Sequence, residues 1–417
     1  MYIKRDIEKT IKETAKYFQV ITIYGSRQVG KTTTVDYLFG DRFRFVTLDT
    51  TADRDLANEN PKGFLEAYGW PLIIDEVQKA PKLLDEIKRV VDEQRRIWLK
   101  DGSPRELMYI LTGSNQFDLQ SQVAESLAGR TAVLHMSSLT QMEKSGVTGD
   151  VFKVNIPELL KKERTNSLYQ TKEEVFQRIF EGGYPDIVTG EIPRSAYFTS
   201  YVDTYIEKDI RKLITVDNES LFRKFIEILA LRTSQELNYE SISNAVGISV
   251  ITCKRWISIL ETSGIIILLQ PYMANMSKRI IKTPKLYFMD TGLCSYLCKW
   301  PNAQMLQDGV MSGAFFETYV ISEIVKSYYN AGINPKDYLY YYRDIDKKEI
   351  DLLLVENGNI YPVEIKKNPS PNKPTKNFNV LSKYNQPIMP GLVIDNTDKI
   401  RPINDNVYSF PVSLLGL

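Results

Sequence analysis

The chain has 417 residues, 43% hydrophobic and 25% charged, which predicts a globular protein of two to four domains that each bury their own core. Its 53 basic and 52 acidic residues nearly cancel, so any attraction to nucleic acid must come from local patches. Three cysteines without dense spacing argue against a disulfide scaffold, and the single histidine, His135, excludes histidine-rich metal sites. Carboxylates and lysines are therefore the candidate catalysts.

Helical spacing of charged and apolar residues characterises the N-terminal segment, MYIKRDIEKTIKETAKYF. It lacks the apolar core of a signal peptide, and no run of about 18 apolar residues occurs in the sequence. We expect a cytoplasmic protein without a membrane partner.

A nucleotide-binding loop follows a short apolar strand in VITIYGSRQVGKTTT, residues 20–34, and satisfies the pattern G-x-x-x-x-G-K-[ST]. Its glycines let backbone N–H groups point at phosphate oxygens, and the following helix presents its positive end to them. Lys31 is expected to reach the β- and γ-phosphates of ATP, and the Thr32 hydroxyl to ligate Mg²⁺. The predicted nucleotide contacts are Gly25, Ser26, Arg27, Gln28, Val29, Gly30, Lys31, Thr32 and Thr33.

Two further apolar strands end in polar residues. PLIIDE, residues 71–76, places Asp75 to orient the magnesium shell and Glu76 to activate water. MYILTGSN, residues 108–115, offers Thr112 or Asn115 as a sensor of the γ-phosphate, and the sequence does not choose between them.

Arg130 precedes the apolar run TAVLHM, which predicts a position at a strand entrance near the edge that holds the nucleotide loop. It is a candidate arginine finger, acting on its own nucleotide site or on that of a second copy. The alternative is a surface arginine paired with Glu125.

Residues 139–215 are predicted to form a helical connector or lid, and residues 216–300 a winged helix. Helical patterns in the latter cover residues 220–237, 238–248 and 249–265, with a tight turn at Gly247, before strand-like runs at 265–272 and 285–290.

Basic residues concentrate between these strands, in SKRIIKTPK, residues 277–285, and on the third helix. The candidate phosphate contacts are Lys278, Arg279, Lys282 and Lys285 in the wing, and Lys254 and Arg255 on the helix. Because winged helices also serve as protein-binding modules, DNA binding and protein binding both remain open.

A two-residue hairpin turn is predicted at Asn357-Gly358, since apolar runs flank this dipeptide. The resulting register places Asp351 opposite Glu364, where uncompensated like charges destabilise a sheet. A divalent cation, Mg²⁺ or Mn²⁺, resolves that conflict.

Lys366 shares a face with Glu364 because side chains alternate along a strand, and its ammonium is placed to orient an attacking water. The alternative is a salt-bridged sheet edge in which Lys366 neutralises both acids. Pro362 argues for an edge strand or a bulge, and a slip of one residue would move Asp351 to the other face.

The motifs together resemble a family of bacterial and archaeal AAA-type ATP-binding proteins whose C-terminal domain is similar to PD-(D/E)XK nucleases. The resemblance rests on GSRQVGKT, LIIDEVQ, LTGSNQF, ESLAGR, GGYPDIV, GAFFETYVISEI and EIDLLLVENGNIYPVEIKK. It implies an α/β multidomain protein with an AAA-type P-loop core at 1–138, and a restriction-endonuclease-like α/β domain at 301–417. It also implies that Glu317 is the helical carboxylate of a nuclease site.

The resulting hypothesis is an ATPase coupled to DNA binding and to metal-dependent DNA cleavage, with ATP and Mg²⁺ as cofactors and Mn²⁺ as a possible ion at the second site. The expected partners are DNA and further copies of the chain. The rival hypothesis is a nucleotide-switched binding or regulatory protein whose nuclease-like domain is an inactive scaffold.

Overall fold

The computed structural model describes residues 2–113, 123, 125–165, 168–204, 219–273, 283–369 and 375–417. Two larger sheets and a small one organise this part of the chain. Over the same ranges, no helix combines the length and the apolar character needed to cross a membrane.

A parallel sheet forms the N-terminal part. Its strands are β1 Val20–Tyr24, β2 Arg44–Thr47, β3 Leu72–Asp75, β4 Tyr109–Gly113 and β5 Thr131–His135, in the order β2-β3-β4-β1-β5. Ile21 and Ile23 face one apolar core, whereas Val20 faces another. The sheet is therefore buried on both sides, which explains why its strands are almost continuously apolar.

Helices cover this sheet: α1 Ile7–Thr14, α2 Lys31–Phe39, α3 Thr51–Glu59, α4 Pro61–Tyr68 and α5 Pro81–Asp101. Local signals set several of their ends. The Asn60 side chain accepts a hydrogen bond from the Gly63 N–H and caps α4, and Gly102, with φ of 74°, ends α5.

The connecting segment is helical, as predicted. It contains α6 Gln141–Lys144, α7 Ile156–Thr165, α8 Lys172–Glu181, α9 Pro185–Val188 and α10 Arg194–Tyr201. Thr140 and Thr171 begin α6 and α8 with capping boxes. The motif GGYPDIV forms the turn into α9, where the Gly183 N–H donates to Asp290 Oδ2 at 2.8 Å.

The middle segment consists of α11 Glu219–Ala230, α12 Tyr239–Val246 and α13 Val250–Thr262, with strands β6 Gln235–Glu236, β7 Ile266–Leu269 and β8 Lys285–Phe288. The strands form an antiparallel sheet in the order β6-β8-β7. Gly247, with φ of 92°, and the Ser249 N-cap make the tight turn between α12 and α13 that the sequence predicts.

One predicted helix of this segment is too long. The sequence pattern extends it over residues 220–237, but α11 ends at Ala230. Gln235 and Glu236 instead pair with Leu286 and Lys285, because strand pairing on β8 satisfies their backbone groups.

The C-terminal part places helices α14 Thr291–Leu297, α15 Ala303–Asp308 and α16 Ser312–Asn330 before a mixed sheet. Its strands are β9 Leu339–Arg343, β10 Glu349–Glu356, β11 Asn359–Ile365, β12 Gly391–Asp395, β13 Arg401–Asn404 and β14 Val407–Pro411, in the order β13-β14-β12-β11-β10-β9. Whether this sheet is a nuclease fold stays a prediction.

The predicted hairpin register is confirmed, since Glu356 pairs with Asn359 and the ladder continues in register to Leu352 and Val363. Asn357 and Gly358 have φ of 53° and 78°, as a two-residue turn requires.

The expectation that Pro362 marks an edge or a bulge of the hairpin is wrong. β11 is a central strand, and Pro362 pairs with Leu353 in the unbroken ladder to β10. Proline is tolerated where pairing to β12 is interrupted: an isolated bridge joins Ile360 to Ile388, and the continuous ladder starts only at Val363.

One apolar core runs from Ile7 to Leu415 and unites the three parts. Gln141, fully buried, also joins the connecting segment to the C-terminal part by hydrogen bonds. Its Nε2 donates to the carbonyl oxygens of Val412 and Leu415, both at 2.8 Å, and its Oε1 accepts from the Tyr319 hydroxyl at 2.9 Å. The N-terminal parallel sheet and the C-terminal mixed sheet therefore share an interior.

His135 makes folding stability depend on pH. Burial, and then the nearby Lys31 charge, lower the pKa of His135 to about 3, while the unfolded residue binds a proton near pH 6.5. Because the unfolded state binds the extra proton, stability contributed by the neutral imidazole falls as pH drops below about 6.5.

We expect wild type to lose about 2 kcal/mol more stability between pH 7 and pH 5 than His135→Phe, which keeps a ring against Tyr329. Urea titrations of both proteins at several pH values measure this difference. Parallel stability curves would show that His135 is not a neutral buried group.

Candidate nucleotide site and acidic cluster

The predicted phosphate-binding loop leaves the end of β1 and enters α2 at Lys31. Gly25 has φ of 153°, and a Cβ on it would lie 2.0 Å from the Met136 carbonyl oxygen, so the loop needs glycine there. Gly30, with φ of 93°, is the N-cap of α2 and directs the helix N-terminus at the loop.

Lys31 is held in this loop by its carbonyl groups. Its Nζ donates to Gly25 O at 2.9 Å and to Ser26 O at 2.8 Å, and the side chain is buried. Burial lowers the pKa of Lys31 to about 8, although the charges of Glu76 and Asp75 oppose that shift. With that pKa the amine is still mostly charged at pH 7, and a negatively charged ligand beside it would raise the pKa again.

Asp75 accepts hydrogen bonds from polar side chains that follow or end the neighbouring strands. Its Oδ1 accepts from the Thr32 hydroxyl at 3.1 Å and also from the Thr112 hydroxyl. Thr112 is therefore in direct contact with the proposed magnesium ligands. Asn115, the other predicted sensor, lies outside the described residues.

Glu76 follows β3 in a left-handed conformation, with φ of 55°, which is unusual for a residue with a side chain. Gln78 Nε2 donates to the Oε2 of this carboxylate. Sequence reasoning missed Gln78, although its position two residues after Glu76 is a usable signal.

The predicted position of Arg130 is wrong. β1 and β5 are parallel and Val20 pairs with Thr131, so Arg130 lies at the amino-terminal edge of the sheet, whereas the phosphate-binding loop follows the opposite edge. Its partner is Asp92 rather than Glu125: Nε and Nη2 donate to the two carboxylate oxygens at 2.7 and 2.9 Å. Arg130 cannot reach its own nucleotide site, and only its action on a second copy stays a prediction.

The side chains of Arg5 and Ser26 form long-range hydrogen bonds that hold the phosphate-binding loop and that the sequence analysis did not predict. The Arg5 guanidinium, buried, donates to Val29 O and to Ser137 O, both at 2.7 Å. The Ser26 hydroxyl lies 3.1 Å from Ser263 O and 3.2 Å from Gly264 O, just past the C-terminus of α13. No local pattern finds such pairs, because their members are as much as 238 residues apart.

A cavity of about 410 Å³ lies elsewhere, between α1 and α16, but a smaller one of about 370 Å³ adjoins the loop. Tyr2, Gln28, Thr33, Pro185 and Asp186 are among its lining residues. The motif GGYPDIV thus contributes a wall beside the phosphate-binding loop.

The hairpin brings Asp351, Glu364 and Lys366 together. Lys366 Nζ lies 2.7 Å from Glu364 Oε1 and 3.3 Å from Asp351 Oδ2, and Asp351 Oδ2 also accepts from the Ile365 N–H at 2.8 Å. The other Glu364 oxygen, Oε2, is buried and accepts no hydrogen bond from a described residue. Burial, and then the charge of Asp351, raise the pKa of Glu364 to about 8.

Glu317 of α16 approaches from the side of the middle segment. Its Oε1 accepts from Lys285 Nζ at 2.8 Å and from the Tyr287 hydroxyl at 2.6 Å. Lys285 Nζ also lies 2.6 Å from Glu349 Oε1. We call Glu317, Glu349, Asp351 and Glu364 the acidic cluster.

Over the described residues, no group of three or more His, Cys, Asp or Glu side chains is arranged to hold a metal ion. Lysine amines explain this for the acidic cluster, because Lys366 bridges Asp351 and Glu364 while Lys285 bridges Glu317 and Glu349. Glu364 Oε2 accepts no hydrogen bond from a described residue, whereas Glu317 Oε1 already has two donors.

The prediction that Lys285 contacts phosphate groups as part of a basic wing is wrong. Lys285 is only 3% exposed and ion-paired, so it does not contact phosphate groups in this arrangement. Lys278, Arg279 and Lys282 lie outside the described residues. Lys254 and Arg255 are exposed on α13, where Lys254 Nζ lies 5.4 Å from the centre of the Tyr239 ring.

Three protein families match successive parts of the chain. Residues 17–144 match the family described as AAA domain. The N-terminal part is an AAA-type ATP-binding domain. Residues 172–304 match Domain of unknown function (DUF8612), and residues 312–415 match Domain of unknown function (DUF4143).

Relatives of this chain include uncharacterized proteins of Mycobacterium bovis and Mycobacterium tuberculosis. Each is 24% identical to this chain over 371 residues, which cover 88% of this chain and 75% of the relative.

Solved structures similar to this chain include a Walker-type ATPase of Pyrococcus abyssi, with 14% identity and a TM-score of 0.39 over 71% of this chain and 96% of that one. AMPPCP-bound DnaA from Aquifex aeolicus has 15% identity and a TM-score of 0.26 over 61% of this chain and 85% of that one.

The AAA-type domain yields a test of the roles of Lys31 and Glu76. We expect Lys31→Ala to lower ATP affinity and to reduce hydrolysis by about 100-fold or more, since it removes the charge that contacts the phosphates. Glu76→Gln should retain ATP binding but lose turnover to a similar extent, because it removes only the group that activates water. Fluorescent-nucleotide binding and phosphate release measure the two effects.

Lys62→Ala and Glu66→Gln are matched controls, since these side chains form an exposed ion pair on α4, with a separation of 3.7 Å. Both should behave as wild type. Normal turnover by Glu76→Gln would remove its assigned role.

Proposed function

We propose that the chain is a magnesium-dependent ATPase whose nucleotide site is coupled to DNA binding. The observation that carries the ATPase part is the group of Lys31, Thr32, Asp75 and Thr112, which assembles at the carboxyl ends of adjacent parallel strands. The match of residues 17–144 to the AAA domain supports it.

In this proposal the Thr32 hydroxyl and Asp75, through its water shell, hold Mg²⁺, and their oxygen donors fit that ion. When bound, Mg²⁺ neutralises charge on the phosphates. Lys31 leaves the carbonyls of Gly25 and Ser26 to contact phosphate, and Glu76 accepts a proton from the attacking water. The cavity lined by Gln28 and Pro185 offers space for the nucleoside.

The DNA-binding part rests on the middle segment, whose order of elements fits a winged helix. Lys254 and Arg255 lie on the exposed side of α13, while Cys253 and Trp256 on the same helix are buried. Two adjacent cations on a helix that follows a tight turn suit phosphate contacts. A trans role for Arg130 would add self-assembly to this function.

Metal-dependent DNA cleavage at the acidic cluster is the finer form of the proposal. It is favoured by the convergence of Asp351, Glu364 and Lys366 and by the unpaired, buried Glu364 Oε2. Asp351 and Glu364 would hold Mg²⁺ or Mn²⁺, with Glu317 from α16, and the ion would lower the pKa of a bound water. Lys366 would orient that water.

The rival function is a nucleotide-switched binding protein with an inactive C-terminal scaffold. One observation favours it: every member of the acidic cluster is paired with Lys285 or Lys366, so the cluster is already stabilised without a metal ion. The two functions differ in whether the purified protein cleaves DNA.

We expect Asp351→Ala and Lys366→Ala to abolish Mn²⁺-dependent cleavage of plasmid and single-stranded DNA and to leave ATP hydrolysis within about twofold of wild type, since the two sites use different side chains. Gel assays of cleavage and phosphate-release assays measure both. Lys153→Ala, which breaks an ion pair with Glu356 near the turn of the same hairpin, is the matched control. Absence of cleavage by wild type would leave the scaffold function.

We expect the Lys254→Ala, Arg255→Ala double variant to bind DNA with a salt slope smaller by up to about 1.8, because each phosphate contact contributes about 0.9. Fluorescence anisotropy at a series of salt concentrations measures the slope. A double variant of the exposed Lys62 and Lys100 should leave it unchanged. An equal slope in wild type and in the α13 variant would indicate a protein-binding surface.

A further inference from the structure

A lysine from outside the C-terminal sheet occupies one end of the acidic cluster. Lys285 belongs to β8 of the middle segment, is almost fully buried, and lies within 2.8 Å of both Glu317 and Glu349. Tyr287, two residues along β8, donates a further hydrogen bond to Glu317. Among the described residues, the middle segment thus supplies both hydrogen bonds to the Glu317 carboxylate.

Lys285 interacts with three of the four acids. Its amine is hydrogen-bonded to Glu317 and Glu349, and the charge of Asp351 also acts on it. Four carboxylates share this region with the amines of Lys285 and Lys366, while Arg343 Nη1 lies 3.2 Å from Glu349 and 2.9 Å from Glu236. Burying so many acids requires cations close to them.

Either an ammonium group or a divalent cation can supply the positive charge that buried carboxylates need. A lysine amine is a compact, strongly hydrated charge, and it competes with hard cations for the same carboxylate oxygens. Lys285 and Tyr287 occupy Glu317 Oε1, so that oxygen is not open to a metal ion, whereas the buried Glu364 Oε2 accepts no hydrogen bond from a described residue.

We propose that Lys285 is a tethered competitor for the cation of the acidic cluster. In the described arrangement it holds Glu317 away from a metal ion, and the ion binds fully only when β8 withdraws the amine. This inference rests on the proposed cation site but not on cleavage.

A series of backbone contacts links Lys285 to the phosphate-binding loop. Through these contacts, nucleotide binding could move the lysine amine away from Glu317. β8 pairs with β7 from Lys285 opposite Leu269 to Phe288 opposite Ile266. β7 follows α13 directly, and the backbone at Ser263 and Gly264 accepts from the Ser26 hydroxyl of the phosphate-binding loop. A rearrangement of that loop on ATP binding therefore bears on the strand that carries Lys285.

The test is Mn²⁺ binding, measured by electron paramagnetic resonance of free Mn²⁺ and by isothermal titration calorimetry on the full chain. We expect Lys285→Met to bind one additional Mn²⁺, or to bind it about tenfold more tightly or better, because the competing charge is gone. Lys285→Arg should resemble wild type. Adding Asp351→Asn to Lys285→Met should remove the gain, which assigns it to the acidic cluster rather than to the AAA-type site.

Glu349→Gln is the second variant, since it removes one anchor of Lys285 without removing a proposed metal ligand. It should tighten Mn²⁺ binding by about threefold. Unchanged Mn²⁺ affinity in folded Lys285→Met overturns the proposal, and if that variant does not fold, unchanged affinity in Glu349→Gln overturns it instead. Tighter binding without DNA cleavage supports the competition and ends the cleavage hypothesis.

Discussion

The side chain of Gln141 joins the segment that follows the N-terminal sheet to the C-terminal part of the chain. It is buried where three elements meet, and its amide satisfies the carbonyl groups of Val412 and Leu415 and the hydroxyl of Tyr319. An amide buried there without partners would be costly, so the packing around it must be maintained. The N-terminal and C-terminal sheets consequently share one apolar core.

The middle segment contacts both the phosphate-binding loop and the acidic cluster. The turn after α13 accepts a hydrogen bond from Ser26 of the phosphate-binding loop. The strand β8 places Lys285 among the carboxylates of the acidic cluster. Both contacts involve residues that we predict to bind ligands, Ser26 in the phosphate-binding loop and Glu317 in the acidic cluster. A segment with such contacts is suited to couple two ligands, because each can be favoured only at the expense of the present arrangement.

Much of this architecture could be predicted from short-range patterns. The turn at Asn357 and Gly358 sets the hairpin register by local backbone preferences, and the phosphate-binding loop is recognised from contiguous residues. The errors at Arg130 and Lys285 have another origin. The side of a sheet on which a residue lies, and the partner it finds, depend on strand direction and on segments far along the chain, which no local pattern encodes.

The burial of Gln141 has a consequence for synthesis of the protein. Its carbonyl partners lie 271 and 274 positions later in the chain, so they do not yet exist when the ribosome has completed the AAA-type domain. Until those residues are synthesised, the part of the apolar core that the N-terminal domain shares with them stays exposed to solvent. Exposed apolar surface of this kind makes folding intermediates prone to aggregation. Final closure of the core is therefore a late event, with the high sequence separation that slows folding.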